Sequence, residues 1–391
     1  MGTTSKPYDG VAVTAPITIP YTRYSERGAT WFIGRALAEM IKAASIEKAD
    51  IDGLAVSSFT LAPDSVVALT EHFSMSPRWL EHLPMGGASG VIAMRRAARA
   101  VQAADAEIVA CIGGDTCHPG SFRQLVATFS RFSEDAVYPY GAGGPNSVFA
   151  LITQAYMDEY GATREDFGRL CVAQRTNAQQ FPYALFRQPL SLDEYLNARP
   201  IAEPLHLFDC VMPCAGADGF LVMSVDRARS LGLPYVTILS AVERHNAYVD
   251  DAVQLRGGWA IDSDQLYASA GLGPEGIDCI ETYDDYPVVS MLQLEDLGFC
   301  QKGEAAQFVR NTPLTCDGGG LPHNTSGGQL SVGQAGSAGG FLGLVEGLRQ
   351  VTGQALGGQV EDAHTGLISG FGMVNYDRGL GAAATIIQQG K

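Results

Sequence analysis

Residues 323–351 constrain the fold of this chain more than any other segment. The segment begins as a Gly-rich loop and continues as a helix with little side-chain bulk, because glycine stands at positions 336, 339, 340, 343 and 347. A glycine inside a helix costs roughly 1 kcal/mol relative to alanine. A helix that tolerates several of them is typical of one whose backbone approaches another helix or a ligand closely. We therefore predict a central, deeply packed helix with its N-terminus at a functional site.

The same pattern occurs earlier in the chain. Gly86-Gly-Ala-Ser-Gly aligns without a gap with Gly336-Ser-Ala-Gly-Gly, and in both regions an Ile-Asp pair precedes the strand before the helix. The repeat predicts two similar halves, with two bare helices side by side at the centre. Chance similarity between two Ala- and Gly-rich helices is the alternative. The β–α–β alternation of residues 11–112 indicates an α/β fold with largely parallel strands.

The repeat also predicts the domain organisation. We expect an N-terminal half over residues 1–235 and a C-terminal half over residues 236–391. Residues 115–205 interrupt the first half and are rich in aromatic residues, proline and short helical patterns. Inserted segments of this kind often carry substrate contacts. We interpret this one as a loop region that lies over one end of the sheet.

Composition excludes several classes of protein. The net charge of −16 over 391 residues argues against nucleic acid binding. No apolar run approaches the ~20 residues of a membrane span. The eight cysteines show neither a Cys-x-x-Cys pair nor the spacing of metal ligands, so we expect reduced, mostly buried thiols and a cytoplasmic protein.

Several short motifs are spread over nearly the whole chain. They are Ala49-Asp-Ile-Asp-Gly, Gly87-Ala-Ser-Gly, Pro204 with Asp209-Cys210 and Ala217-Asp-Gly219, Glu281-Thr-Tyr-Asp-Asp-Tyr286, residues 294–304, and Asn324-Thr-Ser-Gly-Gly328. Together these motifs resemble the thiolase superfamily, in the branch of the sterol-carrier-type thiolases and their lipid-transfer-protein relatives. The resemblance implies a five-layer αβαβα fold of two related halves with an inserted loop domain, usually assembled as a dimer.

The chain departs from the thiolase pattern at the positions that carry the chemistry. Gly87 stands where the resemblance would place the nucleophilic cysteine, and Gln334 stands where it would place a histidine. Tyr283 replaces the Asn or His that would hold a water. The late cysteine that would act as a base falls near Tyr376, counted back from Gly379.

These departures change the expected reaction. Glycine cannot carry an acyl group, and glutamine cannot shuttle a proton. The Gly-rich loops that would stabilise an enolate remain. The chain thus resembles most closely the thiolase-like aldolases of bacterial steroid side-chain degradation, in which a tyrosine removes the β-hydroxyl proton of a β-hydroxyacyl-CoA. The catalytic candidates are Tyr283 and Tyr376. The candidate substrate-binding residues are Gly87, Ser89, His323, Asn324, Gln334 and Gly379.

The resemblance also implies ligands and partners. We expect an acyl-CoA substrate, a homodimer, no metal or other cofactor in this chain, and a separate small subunit with an OB-fold and a zinc ribbon, which could carry zinc. Two other functions stay open. One is a thiolase or C-acyltransferase with a displaced nucleophile, Cys117 or Ser89. The other is a non-catalytic acyl-CoA-binding subunit.

Overall fold

The computed structural model describes residues 6–121, 134–375 and 378–391. Nine strands form one mixed sheet in the order β3-β2-β4-β7-β1-β8-β11-β10-β9, and β5 pairs with β6 in a separate hairpin. The strands are β1 (Val11–Thr22), β2 (Gly53–Ser57), β3 (Trp79–His82), β4 (Ile108–Asp115), β5 (Pro200–Ala202), β6 (Leu205–His206), β7 (Ala215–Ser224), β8 (Tyr235–His245), β9 (Cys279–Glu281), β10 (Thr365–Asn375) and β11 (Arg378–Gln389).

The described helices cover both halves of the chain and the segment inserted between β4 and β7. They are α1 (Ala29–Ala44), α2 (Val66–His72), α3 (Ser89–Ala103), α4 (Glu134–Val137), α5 (Pro145–Tyr160), α6 (Arg164–Ala178), α7 (Leu192–Leu196), α8 (Val225–Ser230), α9 (Trp259–Ala270), α10 (Pro287–Asp296), α11 (Ala305–Asn311), α12 (Gly328–Val332) and α13 (Gly339–Val351). A 3₁₀ turn leads into each of the two glycine-rich helices, Gly86–Ala88 before α3 and Gly336–Ala338 before α13.

The sheet topology repeats in the two halves. The order β2-β4-β7-β1 in the first half corresponds to β9-β10-β11-β8 in the second, with the same sequence of parallel and antiparallel pairings. The halves join where β1 pairs with β8 over two residue pairs, Val13 with Val236 and Thr14 with Tyr235. The internal repeat is therefore a repeat of structure as well as of sequence.

The expectation of largely parallel strands was wrong. Only β2–β3, β2–β4 and β9–β10 are parallel pairs in the described sheet. β7 and β11 each run antiparallel to both of their neighbours. Long, buried apolar strands such as β4 are typical of sheets covered on both faces. Their apolar composition therefore indicates burial of both faces of the sheet, and it does not indicate the direction in which the strands pair.

Helices α3 and α13 lie side by side at the centre, and both contact strands of the two halves. A Cβ on Gly90 would overlap the carbonyl oxygen of Gly340, and a Cβ on Gly340 would lie 2.7 Å from the carbonyl oxygen of Gly86. The glycines are therefore required by the contact between the helices. Helix α1 covers the outer face of the first half of the sheet, and α9 covers the outer face of the second half. Counted with the central helices between the two halves of the sheet, these helices give five layers in the αβαβα order.

The inserted segment packs mainly against the second half. Apolar side chains of α5 and α6 share a core with those of α10 and α11. All eight cysteines are free thiols. No helix in the described part of the chain has the length and apolar composition that crossing a bilayer would require.

Candidate active site

The centre of the candidate site is the contact between Gly87 and Tyr283. A Cβ on Gly87 would overlap the phenol ring of Tyr283 and the carbonyl oxygen of Phe371. The aromatic ring thus occupies the space that any side chain at position 87 would need. The two departures from the thiolase pattern, at positions 87 and 283, are therefore one structural change, because the ring requires the glycine.

Helix α10 fixes the position of Tyr283 through hydrogen bonds to the Tyr283 backbone. Gln293 on that helix accepts the Tyr283 N–H at 3.1 Å and donates its Nε2 to the Tyr283 carbonyl at 2.7 Å. The hydroxyl of Ser369, on β10, donates to the Gln293 oxygen at 2.6 Å. This clamp ties the turn after β9 to the next strand of the sheet, so the phenol is positioned by two elements of the second half.

The Tyr283 hydroxyl belongs to a defined polar arrangement. Gln334 donates its Nε2 to the Tyr283 oxygen at 3.0 Å, which leaves the phenolic proton available to another acceptor. Burial raises the pKa of Tyr283 well above its usual value, and the neighbouring Asp285 raises it further. Tyr283 is therefore suited to donate a proton or a hydrogen bond, and a base role would need the opposite shift.

A cavity of about 150 Å³ lies next to this contact. Among the residues that the structure describes, its lining contains no Lys, Arg or His. Its polar lining includes Thr60, Asp115, Thr116, Asn146, Tyr283, Asp285, Tyr286 and Gln334, and its apolar lining includes Phe59, Val211, Pro213, Phe371, Met373 and Val374.

The structure brings three of the predicted site residues together at the cavity, namely Gly87, Tyr283 and Gln334. Ser89 is not among the residues that line it. Its hydroxyl is fully buried and bonded to the Ser57 hydroxyl and to the carbonyl oxygen of Leu83, both at 3.0 Å. Ser89 therefore organises the start of α3.

His323, Asn324 and Gly379 are likewise not among the residues that line the cavity. His323 bonds through Nε2 to the Thr282 hydroxyl at 2.7 Å, and burial lowers its pKa to about 3, so it is a neutral imidazole. Asn324 accepts the Thr282 N–H at 2.8 Å. A Cβ on Gly379 would overlap the Phe371 ring. His323 and Asn324 therefore hold Thr282 directly after β9, and Gly379 on β11 packs against Phe371 of β10.

Tyr376, the second predicted catalytic tyrosine, lies outside the described residues. The strands on either side of it, β10 and β11, pair as far as Asn375 with Arg378. Met373 and Val374, close to that end of β10, line the cavity.

Sequence reasoning missed several residues of this site, and Gln293 and Asp285 are two of them. Gln293 gives no signal in the sequence, because its clamp exists only after α10 folds back onto Tyr283. Asp285 does give one. It forms an acidic pair with Asp284 at the start of a buried stretch that continues through α10, and buried carboxylates need a partner or a function.

Two of the cavity thiols are poor candidates for a nucleophile. Burial raises the pKa of Cys210 to about 12 and that of Cys214 well above its usual value. The thiolate is the reactive form of cysteine, so both stay protonated near neutral pH. Cys117 also lines the cavity and is buried.

Comparison with known proteins agrees with this geometry. A family model described as Thiolase C-terminal domain-like matches residues 241–380. The steroid side-chain-cleaving aldolase of Thermomonospora curvata is 32% identical over 364 residues, covering 89% of this chain and 92% of that protein. The chain belongs to the thiolase superfamily. Its fold and its altered site place it with the thiolase-like aldolases, which are carbon–carbon lyases.

Two further comparisons support that branch. The 17-hydroxy-3-oxo-4-pregnene-20-carboxyl-CoA lyase of Mycobacterium tuberculosis is 30% identical over 371 residues, covering 90% of this chain and 94% of that protein. The solved structure of the Ltp2-ChsH2(DUF35) aldolase superimposes with a TM-score of 0.83 at 29% identity, over 98% of each chain. The thiolase-like fold expected from the sequence is confirmed.

Proposed function

We propose that this thiolase-like aldolase cleaves a bulky, steroid-like or aromatic β-hydroxyacyl-CoA by a retro-aldol reaction, giving a ketone and a shorter acyl-CoA. The observation that carries the proposal is the Tyr283 ring in the space next to Gly87. Acyl transfer by the thiolase route needs a thiolate at that position. The relatives named as an aldolase and a lyase support the same class of reaction.

The site supports a specific role for Tyr283. Retro-aldol cleavage removes a proton from the β-hydroxyl and returns a proton to the α carbon of the enolate. Tyr283 holds its proton because burial raises its pKa, and Gln334 orients its oxygen. Our proposal is that Tyr283 donates that proton to the enolate. Tyr376 remains the second predicted catalytic tyrosine, a candidate to accept the β-hydroxyl proton.

The cavity supports binding of the reacting end of a larger substrate. Pockets that enclose a drug-sized ligand measure about 300–1,000 Å³, and the described residues enclose about 150 Å³. The apolar side of the lining, with Val211, Phe371 and Val374, suits the hydrocarbon around the β carbon. The rest of a polycyclic acyl group would extend along the inserted region.

The proposal extends to assembly. The solved neighbour is named as an Ltp2-ChsH2(DUF35) aldolase, and by analogy we assign to this chain a homodimer joined by a separate small OB-fold subunit with a zinc ribbon. Any zinc would then belong to that subunit. Co-expression followed by native mass measurement tests this assignment, and a monomer with no bound subunit would contradict it. A cytoplasmic location is part of the same proposal.

Product analysis is the direct test of the reaction. The purified assembly is given a steroid-type β-hydroxyacyl-CoA without free CoA, then a β-ketoacyl-CoA with free CoA. We expect ketone and shorter acyl-CoA from the first substrate only. Turnover of the second alone, with an acyl adduct on Cys117, would establish an acyltransferase instead. No turnover of either substrate would favour a non-catalytic acyl-CoA-binding subunit.

The role of Tyr283 has its own test. Tyr283→Phe removes the proton donor and keeps the ring against Gly87, so we expect turnover to fall by about 10²–10⁴-fold. Tyr267→Phe is the matched control, because the Tyr267 phenol on α9 donates to the carbonyl of Leu297 and neither residue lines the cavity. Equal activity in the two variants would remove Tyr283 from the mechanism.

A further inference from the structure

The Asp285 carboxyl is the feature of the cavity that the proposed function has not used. Asp285 lies on the turn between β9 and α10, two residues after Tyr283, and it lines the cavity together with Tyr283 and Tyr286. The residue is 8% exposed. Its Oδ1 is buried and has no hydrogen-bond partner. An unpartnered carboxylate oxygen in a cavity is unusual, because burying such a group without a partner is unfavourable.

Two other carboxyls nearby are fully engaged. Asp115, which also lines the cavity, accepts bonds from the backbone N–H groups of Phe59, Thr60 and Ser337 and from two hydroxyls. Asp284 accepts the N–H groups of Gln329 and Leu330 and the amide of Gln174. Asp285 is therefore the one described carboxyl at the cavity that keeps an oxygen without a hydrogen-bond partner.

We propose that Asp285 is the base that accepts the β-hydroxyl proton of the substrate, while Tyr283 is the acid that protonates the enolate. The inference rests on the retro-aldol function proposed above. It assigns the two proton transfers to two neighbouring groups on one turn, both facing the same cavity.

The electrostatics of the cavity fit this division of roles. Burial raises the pKa of Asp285 well above its usual value, and the adjacent Asp284 raises it further. In the part of the chain that the structure describes, the other titratable groups that line the cavity are Asp115, Tyr283, Tyr286, Cys117, Cys210 and Cys214. None of these is a cation. A carboxylate with a raised pKa is a stronger base than one in water, whereas a phenol with a raised pKa keeps its proton. Neighbouring groups in an active site can in this way act one as the base and the other as the acid.

The proposed step balances without any further reactant. The β-hydroxyl O–H bond breaks and its proton moves to an Asp285 oxygen, while the remaining electron pair forms the ketone C=O. The bond between the α and β carbons breaks, and its pair becomes the enolate of the thioester. The α carbon then takes the proton of the Tyr283 hydroxyl. Asp285 finally returns its proton to the Tyr283 oxygen, and both groups regain their starting states.

Asp285→Asn and Asp285→Ala are the variants that test this assignment. Wild-type cleavage is established first, so that failure of the proposed function is seen before any variant is made. We expect Asp285→Asn to lower kcat for cleavage by about 10²–10⁴-fold and to bind a non-cleavable analogue lacking the β-hydroxyl within about threefold of wild type. The wild-type rate should rise with pH as the carboxyl ionises, and this rise should be absent from the residual activity of Asp285→Asn.

Chemical rescue separates a base from a structural group. Asp285→Ala leaves space for a small carboxylate, so added formate should restore cleavage by at least about tenfold, whereas Asp284→Ala should gain nothing. Thermal melts of each variant show that the fold is intact. Cleavage by Asp285→Asn at the wild-type rate would overturn the proposal. So would absence of rescue in folded Asp285→Ala together with loss of activity in Tyr376→Phe, which would assign the base to Tyr376.

Discussion

The two 3₁₀ turns that lead into the central helices have the same type of backbone conformation. They differ in the residue of the opposite half that packs against them. Tyr283, from the second half, packs its ring on Gly87 in the turn Gly86–Ala88. In the turn Gly336–Ala338 the equivalent residue is Ser337, whose N–H donates to Asp115 of the first half at 2.7 Å. The turn before α13 is therefore covered by a carboxylate that accepts a hydrogen bond from it. The turn before α3 is covered by a phenol ring whose hydroxyl keeps a proton to donate.

The difference shows how a duplicated fold acquires a single site. Both turns border the cavity through Gly87 and Gly336, but the carboxylate at the second turn has no oxygen left to offer a substrate. The two groups to which we assign the proton transfers, Tyr283 and Asp285, both follow β9 in the second half. On this proposal, the second half contributes the reacting groups to the turn of the first.

Placing the residue of one turn into the other should have the largest effect, and it tests whether the difference between the two turns is needed for stability and activity. Gly87→Ser gives the first turn the residue found in the second, and its side chain would overlap the Tyr283 ring. We expect the free energy of unfolding to fall by about 3 kcal/mol and cleavage to fall at least about 100-fold. Urea melts and product analysis measure the two effects.

The double variant Gly87→Ser with Tyr283→Ala provides the control for that exchange. Removing the ring should restore most of the stability and none of the activity, because the overlap and the acid disappear together. Full activity in Gly87→Ser alone would mean that the ring does not need its place against the glycine.

A second prediction concerns the helices behind the turns. Gly90→Ala would overlap the carbonyl oxygen of Gly340, so we expect a loss of about 3 kcal/mol in the free energy of unfolding. Gly343→Ala is the matched control, since its Cβ would lie 3.2 Å from the Cβ of Glu281. There the helix preference for alanine, about 1 kcal/mol, offsets the tight contact. Equal melting temperatures for the two variants would show that the backbones of α3 and α13 do not pack so closely that only glycine fits between them.

A third prediction compares buried carboxyls in the two halves. Burial raises the pKa of Asp284 to about 7 and that of Asp218 to about 6. A raised pKa in the folded state means that the folded chain binds the proton more tightly than the unfolded chain does. Stability is thus greatest at low pH within this window and falls as pH rises from about 4 to 7, by at most about 1.4 kcal/mol per unit for each group.

Thermal melts at pH 5 and pH 8 measure that dependence. We expect Asp284→Asn to flatten it over a wider pH range than Asp218→Asn does, because the folded pKa of Asp284 is displaced further. A melting temperature that rises between pH 5 and pH 8 in the wild type would contradict the assigned direction for both groups.

The smallest effect is expected at the second turn. Ser337→Gly removes a buried hydroxyl that has no hydrogen-bond partner and keeps the N–H bonded to Asp115. The added backbone freedom of glycine should lower the free energy of unfolding by no more than about 1 kcal/mol, with activity unchanged within about twofold. A loss as large as that of Gly87→Ser would show that the two turns are equally constrained.

Much of the architecture could be predicted from residue spacing. The repeat of two glycine-rich helices indicated two similar halves, and the close contact of Gly90 with Gly340 is the physical reason for that pattern. The pairing directions could not be predicted, because buried strands have the same apolar composition whether they run parallel or antiparallel. At the site, Gly87, Tyr283 and Gln334 were found by their departure from a family pattern.

The sequence by itself determined that the chain lacks a nucleophile at position 87 and carries a tyrosine at position 283, since both follow from the residue types alone. Only the tertiary structure shows that these two features depend on each other, because the Tyr283 ring fills the space that a side chain at position 87 would need. It also decided which of two adjacent aspartates faces the cavity. Neighbours in sequence point in different directions once a turn is formed, so Asp284 is bonded to α12 and Asp285 is left to face the cavity.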